Sequence, residues 1–223
     1  MRLMKTLFPV LISICATVHT AWADWSIHTE FYVVTLAKKQ AATLMPELRD
    51  DAKIDAAFAK LERLVTAGEA HDVATLTGRC DAGGKLESKQ VDEVRYASEW
   101  APAKPMSAEQ VPAVALNPTT FEVRQVGVSF SAATEVSPDG QTLRLKTEES
   151  HIRLIGWSEV EAARLPDDSK VTLKQPQFSI SRHAGSISLK SGKRALLGVH
   201  AVPGKPDELE LFILRGWTTP VAK

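Results

Sequence analysis

The stretch FEVRQVGVSFSAATEVSPDGQTLRL, residues 121–145, decides the fold because its apolar residues alternate with polar ones on both sides of a turn. Phe121 and Val123 face one way, and the register then shifts at Gln125–Val126. The apolar row continues through Val126, Val128 and Phe130. Alternation of this kind is typical of a half-buried β-strand, and the shift predicts a β-bulge.

A reverse turn follows at Ser137-Pro138-Asp139-Gly140. Proline supplies a φ of about −65° and glycine accepts a positive φ, so both residues favour a reversal of the chain here. Leu143 and Leu145 then resume the alternation. The segment as a whole predicts a β-hairpin, and we work outward from it.

The remaining apolar patterns predict two helices near the N-terminus and short strands elsewhere. The helices are expected at 38–48, interrupted at Pro46, and at 52–67, with Asp50 or Asp51 as N-cap and Gly68 as the stop. The strands are expected at 27–36, 72–80, 85–90, 91–100, 152–157, 171–173, 178–180, 187–189, 195–199 and 209–214. Glycine-containing turns are expected at 82–84, at 191–192 and at Gly204. The predicted class is α+β, mostly antiparallel β.

Residues 1–23 have the features of a signal peptide. Arg2 and Lys5 precede an apolar run, and Ala21-Trp22-Ala23 offers the small residues that cleavage requires. The run is shorter than the roughly 20 apolar residues of a membrane-spanning helix. Lipid attachment at Cys15 is an alternative, although Ile14 stands where a small residue is expected. We therefore expect export to the periplasm or the outer membrane.

Cleavage leaves 24–223, a length that suits a single β-rich domain, with a proline-rich loop at 101–118. The exported chain has 25 basic and 27 acidic residues, a net charge of about −2 with neutral histidines. This balance argues against a nucleic-acid partner. Cys80 is its one cysteine, so it forms no internal disulfide and is interpreted as a small core residue.

The sequence assigns no catalytic, cofactor-binding or metal-ligating residue, and we expect that the protein is not an enzyme. Single histidines are scattered at positions 28, 71, 151, 183 and 200 without ligand spacing. Glu148-Glu149 and Asp167-Asp168 are interpreted as solvated turns rather than acid/base pairs. Tryptophans at 100, 157 and 217 suit a membrane interface or a carbohydrate platform, but the commoner role is a buried anchor of the sheets.

The order of the short motifs resembles the secretins, the channel-forming proteins of type II and type III secretion systems and type IV pili. The matching pieces are VGVSF at 126–130, VSPDG at 136–140, LRLKTEES at 143–150, PQF at 176–178, ISLKSGKRALLG at 187–198 and LELFIL at 209–214. Residues 61–100, with EVRY at 93–96, are similar to the segment that opens the secretin domain. The resemblance implies a secretin-like sheet sandwich.

Two functions follow from this resemblance. The first is a role in protein secretion, as a subunit or accessory that forms homo-oligomers through its strand edges and contacts outer-membrane or secretion-machinery proteins. The second is a soluble periplasmic structural or binding module that keeps the sheet and forms no pore. The second is suggested because only 199–208 separates Gly198 from the closing strand, where secretins have a long segment, and because the chain has no room for their N-terminal modules.

Overall fold

The structure is a computed structural model that describes residues 25–102, 116–164 and 170–221. Its elements in chain order are β1 (Trp25–Ala37), α1 (Lys38–Leu48), α2 (Ile54–Thr66), β2 (Ala70–Asp81), β3 (Lys85–Pro102), β4 (Leu116–Val136), β5 (Thr142–Arg164), β6 (Lys170–Lys190), β7 (Arg194–Val202) and β8 (Lys205–Pro220). They form a first sheet in the order β2-β1-β8-β7 and a second sheet in the order β3-β4-β5-β6. All six strand pairings are antiparallel. The predicted α+β class is confirmed.

Several predictions fall outside the described residues: the signal peptide at 1–23 with Cys15, the middle of the proline-rich loop at 103–115, and Asp167-Asp168. The two ends of that loop were assigned wrongly. Ala101 pairs with Asn117 and Pro102 with Leu116, so β3 and β4 extend into the segment from both sides. Proline is tolerated here because these positions lie at strand ends.

The main core lies between the two sheets. Phe31 of the first sheet stacks on Phe130 of the second, with ring centroids 4.7 Å apart, and meets Phe212 edge-on at 5.6 Å. Val128 and Phe130, which the sequence placed on the apolar row, are buried. Burial of each such side chain stabilises the fold by about 1.5–3 kcal/mol. A second core joins the outer face of the first sheet to the helices.

The helices cover the first sheet through one apolar stripe each. Gly68, at φ 75°, ends α2, where its N–H donates to Val65 O and that of Glu69 to Leu64 O. These two hydrogen bonds form a Schellman motif, so the predicted end of the helix at Gly68 is confirmed. The predicted N-cap is wrong: the N-cap is Lys53, and Asp50 instead accepts from the Ala52 N–H one turn earlier.

The predicted break of α1 at Pro46 is also wrong. The helix runs to Leu48, and the Arg49 N–H donates to Met45 O at 3.1 Å. Pro46 has no N–H to donate to the carbonyl of residue 42, but the helix continues because the next turn closes on the Met45 carbonyl.

The central hairpin forms as predicted at its turn. Ser137 N–H donates to Thr142 O at 2.9 Å, and the Asp139 carboxylate accepts from Gln141 N–H at 3.0 Å. Gly140 has φ 70°, and an added Cβ would lie 2.4 Å from the Trp25 ring. The β-bulge predicted at Gln125–Val126 is wrong, because β4 stays in regular register with β3 through that point.

Strand lengths and one connection also differ from expectation. Residues 85–90 and 91–100 form one strand, β3, because both halves pair with β4 in a single ladder. The turn at 82–84 does not join a hairpin: it carries the chain from β2 in the first sheet to β3 in the second. The expected strand at 152–157 lies within β5, of 23 residues, and those at 171–173, 178–180 and 187–189 merge into β6, of 21 residues. The strands expected at 195–199 and 209–214 are confirmed within β7 and β8.

Candidate functional site: the forked end of the second sheet

The second sheet divides into two ribbons at one end. β4 pairs with β5 only from Gly127↔Ile152 to Val136↔Leu143. Beyond that point β4 pairs only with β3, and β5 only with β6. We call residues 92–102 with 116–126 the first ribbon, and residues 153–164 with 170–179 the second ribbon. At about 3.3 Å per residue, each ribbon extends for roughly 35 Å.

Gly127 marks the point of division. Its φ is 127°, and a Cβ added there would lie 2.2 Å from the carbonyl oxygen of Gln90 on β3. No other residue type fits such a close backbone approach at a positive φ. The glycine therefore permits the close approach of β4 to β3 at the last position where β4 also pairs with β5.

The ribbons carry apolar side chains that the lone chain leaves in water. Val123 and Phe121 on the first ribbon are 56% and 48% exposed, and Trp157 on the second is 47% exposed. Ile155 and Val160 are also exposed on the second ribbon. The interpretation of Trp157 as a buried anchor is therefore wrong. Exposed apolar clusters of this kind mark surfaces that another molecule covers.

Charged residues share the first ribbon with these apolar side chains. The exposed ones are Asp92, Glu93, Arg95, Glu99 and Glu122. Arg95 lies over the Phe121 ring, with its guanidinium carbon 4.6 Å from the centroid, so an alkyl chain and a cation cover part of the apolar surface.

The two ribbons touch at Phe178. From the first ribbon, the Arg124 guanidinium lies 4.7 Å from the Phe178 centroid, and the Tyr96 ring lies 5.9 Å away. The Tyr96 hydroxyl donates to Glu122 at 2.7 Å, which holds the tyrosine in place. Phe178 is thus the contact by which the first ribbon rests on the second.

The outer edges of the second sheet are open. Within the described residues no further strand pairs with the free edge of β3 or of β6. Unpaired N–H and C=O groups along such an edge are a template for another strand.

Buried ionisable groups connect the two sheets at the base of the fork. Glu210 on β8 is 0% exposed and accepts from His151 Nδ1 on β5 at 2.8 Å. Arg153 Nη2 donates to the same carboxylate oxygen. Burial alone would raise the pKa of Glu210, but the hydrogen bonds from His151 and Arg153 outweigh it and hold that pKa below its usual value.

Glu149 lies on the same face of β5 without such support. It is 3% exposed, and neither carboxylate oxygen has a hydrogen-bond partner within the described residues. His183 on β6 has its Nδ1 3.8 Å away. Burial raises the pKa of Glu149 to about 7, with Thr147 opposing the shift only partly.

His200 completes this group from β7. It pairs across the strands with Glu210 and packs on the Phe212 ring at 4.8 Å between centroids. Burial lowers its pKa, with Glu210 opposing the shift and His183 and Arg153 adding to it. A neutral imidazole at pH 7 follows.

The fold brings together residues that the sequence left apart. Two of the histidines that are scattered in the sequence lie close to buried glutamates: His151 bonds to Glu210, and His183 lies 3.8 Å from Glu149. His200 pairs across the strands with Glu210. The interpretation of Glu148-Glu149 as a solvated turn is wrong for Glu149, although Glu148 is exposed. The signal was present in the alternation, since Leu143, Leu145, Thr147, Glu149 and His151 all have the inward parity of β5.

A cleft of about 460 Å³ opens beside this group, between β1, β2, β5 and the β7–β8 turn. His151 and Arg153 form one wall, and Lys205 with Glu208 the other.

In the described part of the chain, no group of three or more His, Cys, Asp or Glu side chains is placed to hold a metal ion. None of the described helices is long and apolar enough to span a membrane.

No family model and no curated protein matches this chain. Among solved structures, it is similar to the type II secretion system secretin GspD of E. coli K12, at 12% identity and a TM-score of 0.37 over 88% of this chain and 48% of that one. It is similar to the type III secretion injectisome secretin InvG of Salmonella SPI-1, at 8% identity and a TM-score of 0.36 over 90% and 64%. The type II secretion system outer membrane complex of Klebsiella pneumoniae gives 12% identity and a TM-score of 0.39 over 89% and 39%.

These structures contain secretins, the family that the sequence motifs resemble. The chain spans between 39% and 64% of the length of the chains it matches.

Proposed function

We propose that the chain is an exported, non-enzymatic, secretin-like protein that acts in protein secretion. It works as a subunit or accessory of a type II, type III or pilus-type outer-membrane assembly, folded as one β-rich domain. Its location is the periplasm or the outer membrane, reached through the signal peptide at 1–23. Its partners are further copies of itself and other components of that assembly.

The observation that carries this proposal is the fork of the second sheet. Each ribbon combines an open strand edge with exposed apolar side chains, which a single chain cannot cover. Neighbouring copies that add their ribbons edge to edge bury these side chains and satisfy the edges, and closure into a ring leaves no edge unpaired. The secretin-like order of motifs in the sequence supports the same role.

Native mass measurement of the exported protein tests this function. Expressed with its signal peptide, the wild type is expected in a membrane fraction as a high-order homo-oligomer. A variant with Phe121→Ser and Val123→Ser removes apolar surface from the first ribbon and is expected to shift the mass toward a single chain. Gln125→Ser, an exposed polar position on the same strand, is the matched control and should leave the oligomer unchanged.

A monomeric wild type without membrane association would overturn the ring. That outcome belongs to the second candidate, a soluble periplasmic structural or binding module without a pore. The closed core favours it, since Val128 and Phe130 are already buried in a single chain. The contact between the ribbons at Phe178 also favours it, because it covers apolar surface without a neighbour.

A further inference from the structure

Six ionisable side chains lie between the sheets at the base of the fork, and we call them the inter-sheet cluster. They are Glu149, His151 and Arg153 of β5, His183 of β6, His200 of β7 and Glu210 of β8. The second sheet supplies four of them and the first sheet two, so the cluster bridges the sheets where the ribbons begin.

The two carboxyl groups of the cluster differ in their hydrogen bonding. Glu210 shares one oxygen between His151 and Arg153, so its negative charge is matched by donors on the opposite sheet. Glu149 has no charged donor at hydrogen-bond distance among the described residues, and the nearby Thr147 hydroxyl offsets its burial only in part. The residue opposite it on β4 is Phe130, whose side chain offers no hydrogen bond. A buried carboxyl in this position is tolerated as the neutral acid, because the ionised form requires water or a cation.

The charged and titratable groups near Glu149 come from three elements besides its own. β6 supplies His183, the imidazole within 4 Å. The opposite sheet supplies His200 and Glu210, and β5 itself carries His151 and Arg153 further along the same face. Arg153 and His151 already bond to Glu210, which leaves His183 as the side chain placed to meet an ionised Glu149.

We propose that the inter-sheet cluster is a proton-controlled latch. The protonated carboxyl of Glu149 keeps the two sheets closed at the base of the fork, and loss of its proton favours local opening there. Opening admits water to the carboxylate and lets His183 turn toward it. The latch operates in a single chain and does not depend on ring assembly.

The direction of the pH effect follows from where the proton is bound. The closed state holds the proton up to about pH 7, whereas an open, hydrated carboxyl releases it near the usual value of 4.5. Opening therefore releases one proton between these values. The contribution of Glu149 to the opening equilibrium is expected to rise about tenfold per pH unit from about pH 5 to pH 7 and to level off above that.

Glu210 and His200 shift the opening equilibrium in the opposite direction, because the lowered pKa of each favours opening as the pH falls. Glu210 has a pKa below its usual value, so its contribution to the stability of the closed state is lost only as the pH falls through that lowered pKa. His200 has a lowered pKa and stays neutral as the pH rises. An increase of local opening with rising pH therefore reports the ionisation of Glu149.

Hydrogen exchange of the full exported chain tests the latch. Protection of amides at 149–153 and 209–211 is measured from pH 5 to pH 8, corrected for intrinsic exchange, in the wild type and in Glu149→Gln, which mimics the neutral acid. The ratio of opening constants, wild type over variant, should rise about tenfold per pH unit up to pH 7. Glu148→Gln, the exposed neighbour, should follow the wild type, and amides of α2 should show no such ratio.

Carboxyl ¹³C NMR of the wild type provides a second measurement that survives a poorly folded variant. A glutamate that titrates near pH 7 and that is missing from spectra of Glu149→Gln or Glu149→Leu supports the proposal. A Glu149 that titrates near 4.5, or a ratio of opening constants that stays constant with pH, overturns it.

Discussion

At the scale of single residues, two buried glutamates face the same space under opposite conditions. Glu210 has two donors on one oxygen, whereas Glu149 has no charged donor at hydrogen-bond distance within the described residues. The same burial that raises the pKa of Glu149 to about 7 is outweighed at Glu210 by its donors. The charge of a buried carboxyl here depends on its partners and not on its depth.

Replacing Glu210 with Gln is expected to destabilise the fold by about 3 kcal/mol at pH 7, because Arg153 keeps a charge that no carboxylate then balances. The wild type loses this contribution as the pH falls through the lowered pKa of Glu210, so the difference between the two proteins should shrink in acid. Urea unfolding at pH 7 and pH 4 measures both effects.

Glu208→Gln is the control for that prediction. Glu208 lies two residues earlier on β8 and pairs with Lys205 at the surface. Surface pairs contribute at most about 1 kcal/mol. Equal losses for Glu208→Gln and Glu210→Gln would contradict the importance of the buried contact.

Glu149 is also expected to limit stability at neutral pH. Glu149→Gln should be more stable than the wild type above pH 7 by up to about 3 kcal/mol, since each unit of pKa corresponds to about 1.4 kcal/mol. The gain should vanish below about pH 4.5, where the wild-type carboxyl is protonated in both the folded and the unfolded chain. Denaturant midpoints at pH 4, 6 and 8 give the comparison, and a variant less stable than the wild type at pH 8 would refute it.

The inter-sheet cluster was only partly predictable at this scale. The inward parity of Glu149 and His151 is readable from the leucines that precede them on β5. The bond between His151 and Glu210 joins residues 59 positions apart, and nothing in local sequence sets that distance. The sequence thus indicates which face these side chains take but not which partners they meet there.

At the scale of elements, the turn of the central hairpin depends on space as well as backbone freedom. Gly140→Ala is expected to cost about 2 kcal/mol or more, because the residue has φ 70° and its Cβ would meet the Trp25 ring at 2.4 Å. Gly204→Ala, at φ 75° with no heavy atom of the described residues within 4 Å, should cost only about 1 kcal/mol. Thermal unfolding of both variants separates strain from collision, and equal losses would show that the ring contact is unimportant.

Element types were easier to predict than element lengths. Alternation identified the strands and the helical stripe identified α2, because both patterns are local. The merging of 85–90 with 91–100 depends on β4, which pairs with both halves. The crossing at 82–84 depends on β1, which pairs with β2 and keeps it in the first sheet. Lengths and sheet membership are therefore set by partners far away in the chain.

At the scale of the whole molecule, the ribbons are held together by little more than the contact at Phe178. Phe178→Ala should free the first ribbon, since it removes the ring that Arg124 and Tyr96 touch. Hydrogen exchange at 92–102 and 116–126 is expected to quicken while exchange in the core stays slow. Ile180→Ala serves as the control, because Ile180 is exposed two positions further along β6. An equal increase of ribbon exchange in this variant would contradict a specific contact at Phe178.

The strand pattern predicted a mostly antiparallel β class and the resemblance to secretins implied the sheet sandwich, whereas neither predicted the fork. The fork begins at Gly127, next to the position where the sequence predicted a β-bulge. The sequence does not show that Gln90 O on β3 lies 2.2 Å from where a Cβ of residue 127 would stand, an approach that only glycine permits.

The pairing of β1 with β8 has a further consequence. It joins Trp25 to Pro220 and continues to Ala37 and Glu208, so the middle of the first sheet is made from the two ends of the described chain. Such distant pairing is slow to form. If the polypeptide crosses a membrane from its N-terminus, β1 stays unpaired with β8 until the last strand has crossed. The first sheet can therefore form only after translocation is complete.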